Sequence, residues 1–571
     1  MKVLRVFLSV CAALASLTLS ASLFASDTLL IHGHIYTGNV KAPWAQALAI
    51  TGTKIDALGT DEEILRRRQP KTEVIDLHGR TVIPGISDSH THMWLGAMAL
   101  HGINLSTPES STTPDNPDEL VAKIKAFAAS HPNDKIIFGR ADFGTAPPAI
   151  PTHELLDRAV SDRPVIIHHT SKHALWVNAK ALELAGITDQ PVADPSEERN
   201  IIRDASGHPS GLILEGGMEV VERAVFAALP RDDKLAMLRD ASHYLNRFGI
   251  TSVVNASGSL PEIELYAALR DRGELTARTR NAFGAVAVNH HLTTQFLADL
   301  EKARTQYHDD WVSANLVKFF ADGGSGLIPP LTYDPAEYKK LVLELDKRGY
   351  QVMTHALRGD SAHMVLDTYE QVEKENGPRD RRFRMEHAEI FPPEDLTRFA
   401  KLSVIVSTQP SFCCSDSGSN FDSQDKRPTD RWRSLEQSGA TLAFSSDWPC
   451  TWPPDPFVGI DQVVRRAVWH AAATATVGGI FDGGGQGGAV PTLSAYVPEE
   501  SITVEQALKA YTLGAAYARF SEDRLGSLEA GKEADLAVLS QDIFSVAHEE
   551  LGKTHVVMTM VGGKTVFKEM N

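Results

Sequence analysis

The sequence predicts an α/β chain, a parallel (β/α)8 TIM barrel with a small β-sandwich domain formed by both chain ends. Its middle part alternates short apolar runs with longer helical patterns, as βα units do. Eight of those runs can be strands, which is the number that closes a parallel barrel. The two ends of the chain consist mainly of short β-like runs. At 571 residues, the chain is long enough for such a barrel with large insertions.

The first element is a targeting segment. Lys2 and Arg5 give the N-terminus a positive start, and an apolar run then ends in small residues before Asp27. This pattern is typical of a secretory signal peptide over residues 1–26, and an uncleaved membrane anchor is the alternative. We therefore expect a secreted or periplasmic protein that has no membrane contact once the signal is cleaved.

Residues 27–83 form the first part of the predicted sandwich. They contain the β-like runs TLLIHGHIYTG, AQALAITGTKIDALG and TEVIDLHGRTVIPG, whose spacing and glycines indicate hairpins. Residues 521–571 have the same character in ADLAVLS and THVVMTMVGGKTVFKE. We expect the two β-rich ends to pack together, so that the sandwich is closed from both termini.

The barrel is predicted over residues 84–520. Helical patterns such as 117–130 and 336–349 separate its strands. The distance between the first and fourth strands is too long for three βα units, so large insertions are expected at about 93–160 and 175–240. The eight candidate strands are 81–90, 163–170, 249–257, 315–323, 350–356, 383–388, 403–410 and 441–447.

Polar residues lie in or at the ends of five of these strands. The carboxyl ends of barrel strands meet at one face of the barrel, where barrel active sites lie. Lys318 and His355 are 37 residues apart and His355 and His387 are 32 apart, which is one βα unit each. This spacing predicts one metal centre from the six residues His90, His92, Lys318, His355, His387 and Asp447.

His90 and His92 are two residues apart on a strand, so both imidazoles point to the same side as a chelating pair. A lone pair of this kind is weak evidence of a metal site. His32 and His34 have the same spacing, but they belong to the predicted sandwich and have no partners at barrel intervals. We expect them to lie well away from the site.

Composition narrows the function classes. The net charge of −17 argues against binding a nucleic-acid backbone, which needs a basic face. The chain has 22 His and 4 Cys, which favours a metal site of imidazole and carboxylate groups. Cys413, Cys414 and Cys450 are too few for a disulfide framework. A bridge to Cys450 stays open, and Cys413 and Cys414 are expected to be packed and unpaired.

Several motifs carry a resemblance to a known family. PGISDSHTHM (84–93) resembles the first-strand signature of the amidohydrolase superfamily, and GSLEAGKEADLAVL (526–539) is similar to its C-terminal motif. The middle resembles amidohydrolase family 3, which includes N-substituted formamide deformylases, and the similarity spans about residues 28–569. Its matching stretches are SKHALWVNAKALELAGI (171–187), FGITSVVNA (248–256), LVKFFADGGS (316–325), RMEHAEI (384–390), AFSSDWP (443–449) and EQALKAYTLGAAYA (505–518).

The resemblance implies a barrel hydrolase with two divalent metal ions, usually zinc. Superfamily members carry a carboxylated lysine that bridges both ions. By position, the more buried ion would be held by His90, His92 and Asp447, the second by His355 and His387, and the bridge would be carboxylated Lys318.

Further residues are candidates for catalysis and substrate binding. Asp447 would accept the proton of the attacking water and deliver it to the departing nitrogen. His173 resembles the family's substrate-facing histidine, and Gln409, which ends the seventh strand, is a candidate substrate contact. The stretch GRADFG (139–144) replaces an aromatic-rich stretch common in the family, which puts the shape of the substrate pocket in doubt.

The predicted function is zinc-dependent hydrolysis of a C–N bond other than a peptide bond, an amide-type bond of a small molecule, by a metal-activated hydroxide. Ester, lactone or other acyl hydrolysis at the same bimetallic centre is an alternative, since a fold does not fix the bond cleaved. A catalytically inactive binding or regulatory protein is a third hypothesis, and the complete ligand set argues against it. The expected partner is a small-molecule substrate, and the sequence leaves homo-oligomerisation open.

Overall fold

The structure of the protein is a computed structural model. The predicted signal peptide, apart from Ser26, lies outside the residues that it describes. Cys414 and the glycine-rich run at 480–489 also lie outside them. The described residues are 26–105, 116–143, 151–284, 292–323, 331–413, 429–468, 494–495 and 497–570.

An eight-stranded parallel sheet forms the barrel, as predicted. Its first and last strands are joined by a bridge between Thr91 and Trp448. The Ser89 hydroxyl also donates toward the carbonyl oxygens of Ala443 and Phe444, at 3.2 and 3.0 Å. These contacts close the sheet on itself. The barrel strands, in chain order, are Ile86–Thr91, Ile250–Gly258, Arg278–Gly284, Val312–Phe320, Gln351–Ala356, Arg384–His387, Ile405–Thr408 and Leu442–Phe444.

One of the predicted barrel strands is wrong, and one barrel strand of the structure was not predicted. The run at 163–170 forms strand Val165–His169, which belongs to a separate sheet. The missing barrel strand is Arg278–Gly284, whose two arginines break the apolar pattern expected of a buried strand. Both Arg278 and Arg280 are buried, and the carboxylates of the sandwich compensate the charge of Arg278.

The chain between the first and second barrel strands forms a second, six-stranded sheet. Its buried core includes Ile124, Ile137, Ile167 and Trp176. The two insertions predicted separately, at 93–160 and 175–240, therefore belong to one continuous excursion. In sheet order, its strands are Ile201–Arg203, Pro209–Leu214, Ala174–Val177, Val165–His169, Ile137–Ala141 and Ile103–Asn104.

Strands from both chain ends form two packed sheets. Leu536–Leu539 pairs antiparallel with Thr81–Pro84, so C-terminal strands extend an N-terminal sheet. Leu30, Val82 and Leu536 contribute to the shared apolar core. The four-stranded sheet holds Lys54–Gly59, Ala47–Thr51, Thr28–Ile31 and Glu73–Asp76, and the six-stranded sheet holds Lys564–Lys568, Val556–Val561, Leu536–Leu539, Thr81–Pro84, His34–Tyr36 and Trp44–Ala45.

Helices cover the barrel and the excursion. A representative one is Pro335–Lys347, which begins with the Asp334 side chain accepting from the backbone N–H groups of Ala336 and Glu337. Among the described residues, no helix has the length and apolar character needed to span a bilayer. The remaining α-helices are Asp61–Leu65, Met93–Leu100, Pro117–Ser130, His153–Ala159, Ala179–Ala185, Pro195–Glu198, Met218–Ala228, Arg231–Asn246, Leu260–Asp271, Thr294–Gln306, Gly359–Asn376, Leu396–Lys401, Trp432–Gln437, Pro456–Arg465, Val504–Lys509 and Ala515–Ala518.

Candidate metal centre

Three of the predicted ligands form a compact group, in which His90 and Asp447 are buried and His92 is partly buried. His90 lies in the first barrel strand, His92 follows it, and Asp447 follows the eighth strand. One ligand atom of each lies within 4.8 Å of the others. His92 Nε2 is 3.2 Å and His90 Nε2 is 3.5 Å from Asp447 Oδ1. Two imidazoles and a carboxylate at this spacing are the donor set that Zn²⁺ and similar divalent ions prefer.

The second predicted pair lies directly beside this group. The rings of His355 and His387 are 4.4 Å apart between centroids, and the His387 ring is 5.1 Å from that of His90. All the predicted histidine ligands therefore lie at one face of the barrel. His355 Nε2 and Asp447 Oδ1 are both buried without a hydrogen bond of good geometry. Such orphaned donor atoms fit residues that bind metal ions.

Polar partners fix the orientation of three of these rings. The Nδ1–H of His90 donates to Glu386 Oε2 at 2.6 Å, and that of His387 donates to Gln409 Oε1 at 2.7 Å. His92 Nδ1 lies 2.9 Å from the Ser257 hydroxyl. A partner at Nδ1 leaves Nε2 free as the ligand atom, as is usual at metal sites.

Lys318 lies inside the barrel next to the first group. Its side chain is buried, with Nζ 3.2 Å from His90 Nε2 and 4.5 Å above the Phe320 ring. Burial lowers the pKa of Lys318 to about 8, so the neutral amine is accessible near neutral pH. Asp322, an acidic residue four positions after Lys318, accepts instead from the backbone N–H groups of Leu357 and Arg358 and from the Ser361 hydroxyl.

The electrostatics of the site favour neutral imidazoles and an ionised carboxylate. Burial holds the pKa of His90 and of His387 well below the ordinary value, and it also lowers the pKa of His355. Burial alone would raise the pKa of Asp447, but the hydrogen bond from His92 and the neighbouring His387 and Lys318 side chains outweigh it and lower that pKa. These are the protonation states in which both residue types bind metal.

A cavity of about 210 Å³ opens beside these groups. It is lined by His92, His355 and Asp447, and also by His173. His173 Nδ1 pairs with Glu215 Oε2 at 2.9 Å. Burial would lower the pKa of His173, but the Glu215 carboxylate raises it above its ordinary value. The Glu215 carboxylate thus favours the protonated form of His173, which faces the same space as the ligands.

Gln409 and the pair of His32 and His34 both lie outside the cavity lining. Gln409 is buried and does not line the cavity; its amide bonds His387 and the Ser445 hydroxyl, so it orients a ligand. His32 pairs with Asp76, and His34 stacks on Trp44 in the sandwich, as expected for a pair outside the site.

The two described cysteines differ in state. Cys413 is disulfide-bonded, so the expectation that it is packed and unpaired is wrong, and its partner lies outside the described residues. A disulfide forms only where two sulfur atoms come within bonding distance. The positions of the cysteines in the sequence do not give that distance. Cys450 is free and lines the cavity.

The backbone at the site is strained. His387, Asp447, Lys172 and Glu215 have φ angles of 70°, 54°, 64° and 40°, a left-handed region that costs energy for residues other than glycine. All four line the cavity. Strain of this kind is kept where the surrounding structure fixes a functional geometry.

Sequence reasoning missed the partners of the ligands. Glu386 and Ser257, from distant parts of the chain, hold His90 and His92 at Nδ1. Asp322 Oδ1 lies 3.2 Å from His355 Nε2, in poor hydrogen-bond geometry. One signal was available, since Glu386 and Arg384 are oppositely charged residues two apart in a short buried strand. Buried charges of that kind are almost always paired.

A closed parallel barrel with a histidine and aspartate cluster at its strand ends defines a metal-dependent hydrolase fold. The sequence profile of the Amidohydrolase family matches residues 73–567, so the chain belongs to that family. It is similar to the N-substituted formamide deformylase of Arthrobacter pascens, with 26% identity over 94% of this chain and 97% of that protein.

Two other proteins are similar to this chain over most of its length. The protein LONG AFTER FAR-RED 3 of Arabidopsis thaliana is 28% identical over 97% of this chain and 94% of its own length. An uncharacterized metal-dependent hydrolase from Pyrococcus horikoshii has the same fold. Its crystal structure matches with a TM-score of 0.69 and 22% identity, covering 91% of this chain and 99% of that chain.

Proposed function

We propose that this protein is a metal-dependent amidohydrolase that cleaves a non-peptide C–N bond of a small molecule. The observation that carries the proposal is the compact group of His90, His92 and Asp447 beside His355 and His387. The similarity to a formamide deformylase supports an amide-type substrate.

The residues present fit two divalent ions, and zinc is the expected metal. His90, His92 and Asp447 would hold one ion, and His355 and His387 the other, with carboxylated Lys318 between them. Divalent ions at such sites lower the pKa of a water molecule and polarise a carbonyl oxygen. The neutral imidazoles and the ionised Asp447 described above suit this role.

The protein's own groups manage the protons. Asp447, held ionised by His92, accepts a proton from the attacking water and passes it to the leaving nitrogen. His173, whose pKa the Glu215 carboxylate raises, donates a hydrogen bond to the substrate's carbonyl oxygen.

Metal analysis combined with a substrate panel tests this proposal. Purified protein should hold up to two equivalents of zinc by mass spectrometry, and the loaded protein should hydrolyse N-acyl or N-formyl amines. Faster turnover of matched esters or lactones would assign acyl-oxygen chemistry to the same centre. Metal-loaded protein that hydrolyses neither panel would favour a binding or regulatory role.

We also propose that the protein is exported with residues 1–26 as a cleaved signal. The basic start and apolar run support this location. N-terminal sequencing of the protein from the producing cell tests it, and an intact Met1 on the purified protein would contradict it.

A further inference from the structure

A lysine without a partner lies at the wall of the metal cavity. Lys172 is in the turn that follows strand Val165–His169, where its backbone N–H donates to the His169 carbonyl at 2.9 Å. Its φ of 64° is left-handed. Lys172 lines the same cavity as His92 and Asp447. The strained turn therefore places an ammonium group near the candidate catalytic residues.

Lys172 has no counter-ion in the part of the chain that the structure describes, where its Nζ makes no ion pair or hydrogen bond. Burial and the nearby guanidinium of Arg140 lower the pKa of Lys172 to about 7. A partly buried charge without a partner is costly to keep. A ligand that supplies the missing negative charge would remove that cost.

The acidic residues that line the cavity do not serve as a counter-ion of Lys172. Glu215 pairs with His173, and Glu197 pairs with Arg223. Burial raises the pKa of Glu219 to about 8, so this side chain is largely neutral at pH 7. Glu222, another carboxylate of the cavity, lies 3.7 Å from His168 Nε2, so none of these paired or protonated acids forms an ion pair with Lys172.

A second cation without a carboxylate partner among the described residues acts on Lys172. Arg140 is in the strand next to that of His168, in register with it. It is 9% exposed, and its Nε is buried without a hydrogen bond. Its guanidinium lies 5.4 Å from the centroid of the Trp452 ring. In the described ranges, this guanidinium also has no carboxylate within ion-pair distance.

We infer that Lys172, supported by Arg140, binds an anionic group of the substrate next to the scissile bond. The substrate class is an N-acyl compound that carries a carboxylate near the amide nitrogen. This inference rests on the proposed function. It adds a specificity residue from the excursion, outside the barrel strands that provide the ligands.

Paired substrates test the inference by kinetics. N-acetylphenylglycine and N-benzylacetamide share the acyl group and the ring and differ by the carboxylate. With zinc-loaded protein, we expect higher kcat/KM for the anionic substrate. In Lys172→Met the ratio of the two kcat/KM values should fall about tenfold or more, and Lys172→Arg should restore part of it. An unchanged ratio in Lys172→Met overturns the inference, since a purely structural role would slow both substrates alike.

Equilibrium binding provides a readout that does not depend on turnover. Phenylacetate and phenylacetamide are titrated against zinc-loaded protein while tryptophan fluorescence is recorded. Phenylacetate should bind more tightly than phenylacetamide, and Lys172→Met should weaken phenylacetate binding about tenfold. The control Lys180→Met, at an exposed lysine paired with Glu183, should leave phenylacetate binding unchanged.

The two failures are distinguishable. If the wild type hydrolyses no amide but binds phenylacetate through Lys172, the proposed function fails and the anion site stands. If the amides are hydrolysed while phenylacetate binds equally to wild type and Lys172→Met, the anion site fails alone. Preference for an ammonium-bearing analogue would also overturn it.

Discussion

At the scale of single residues, the candidate centre depends on side chains that never reach the cavity. Glu386 is fully buried between the His90 ring and Arg384, whose guanidinium donates to both carboxylate oxygens at 2.8 and 2.9 Å. The same guanidinium donates to the Ser89 carbonyl at 2.6 Å. These contacts between charged groups thus fix the tautomer and the orientation of the His90 ring beside Lys318.

Replacing this carboxylate should weaken metal binding. Glu386→Gln keeps the size of the side chain but removes the negative charge that orients His90 Nδ1–H. Loss of such a partner typically costs about 10- to 100-fold in metal affinity. Competition with a chelating dye measures the change, and Glu183→Gln, on an exposed helix surface, is the control. Equal zinc affinity in wild type and Glu386→Gln would show that Glu386 serves only the fold.

Lys318 is the proposed bridging residue of the metal centre. An ammonium facing two divalent cations would be repelled, whereas a carbamate formed with carbon dioxide supplies an anionic bridge. Lys318→Ala should therefore lose metal and activity, and a small carboxylic acid such as propionate should partly restore both. Lys318→Met is the matched control, because its side chain fills the space that the acid would need. Full zinc content and turnover in Lys318→Ala without additive would contradict the bridge.

At the scale of elements, the sequence predicted those strands whose polar residues serve the site. Lys318, His355 and His387 follow one another at single βα intervals, and Asp447 follows two strands later, because these barrel strands bring their polar residues to one face. The strand Arg278–Gly284 could not be found this way, since the charge of Arg278 is neutralised by residues more than 250 positions away. The apolar run in Val165–His169 was equally misleading, because a buried strand looks alike in either sheet.

The partners of the ligands were beyond sequence reasoning for the same physical reason. Glu386 meets His90 across 296 residues, and Ser257 meets His92 across 165. No local periodicity encodes such pairs. Gln409 illustrates the limit, because its strand-end position was read correctly while the direction of its amide, toward His387 and Ser445, depends on packing.

A buried acid after the second barrel strand gives a prediction for that element. Glu262 Oε1 accepts from Asn255 at 2.9 Å and from the Tyr266 hydroxyl at 2.5 Å. Burial raises the pKa of Glu262 from 4.5 to about 7, although these hydrogen bonds oppose it. Between those values the native chain binds one more proton than the unfolded chain, so stability is lost as pH rises from about 4.5 to 7.

Glu262→Gln should remove this contribution, since the amide mimics the protonated acid. The free energy of unfolding of the variant, relative to that of wild type, should rise by up to about 3 kcal/mol between pH 5 and pH 8. Urea unfolding at each pH measures the free energy of unfolding, and Glu264→Gln on the exposed side of the same helix is the control. Parallel curves for wild type and Glu262→Gln would contradict the raised pKa.

At the scale of the whole molecule, one arginine joins the barrel to the sandwich. Arg278, in the third barrel strand, is 1% exposed. Its Nε donates to Asp535 Oδ2 at 2.8 Å, and its Nη2 donates to Glu533 at 3.0 Å and to Asp535 Oδ1 at 3.1 Å. Asp535 also accepts from the Gly562 backbone N–H at 2.7 Å. The C-terminal strands are thereby fastened to the barrel wall at the strand that sequence reasoning missed.

Breaking this link should destabilise the whole chain. Asp535→Ala leaves Arg278 buried with one remaining carboxylate, and removal of one partner from a buried ion pair costs about 3–5 kcal/mol. The midpoint of urea unfolding should fall clearly. The control Glu62→Ala removes the carboxylate that pairs with the exposed Arg66 in the sandwich, and it should change the midpoint little. The double variant Arg278→Met, Asp535→Leu should recover much of the loss, because no unpaired charge stays buried. Equal midpoints for wild type and Asp535→Ala would show that apolar packing alone holds the sandwich on the barrel.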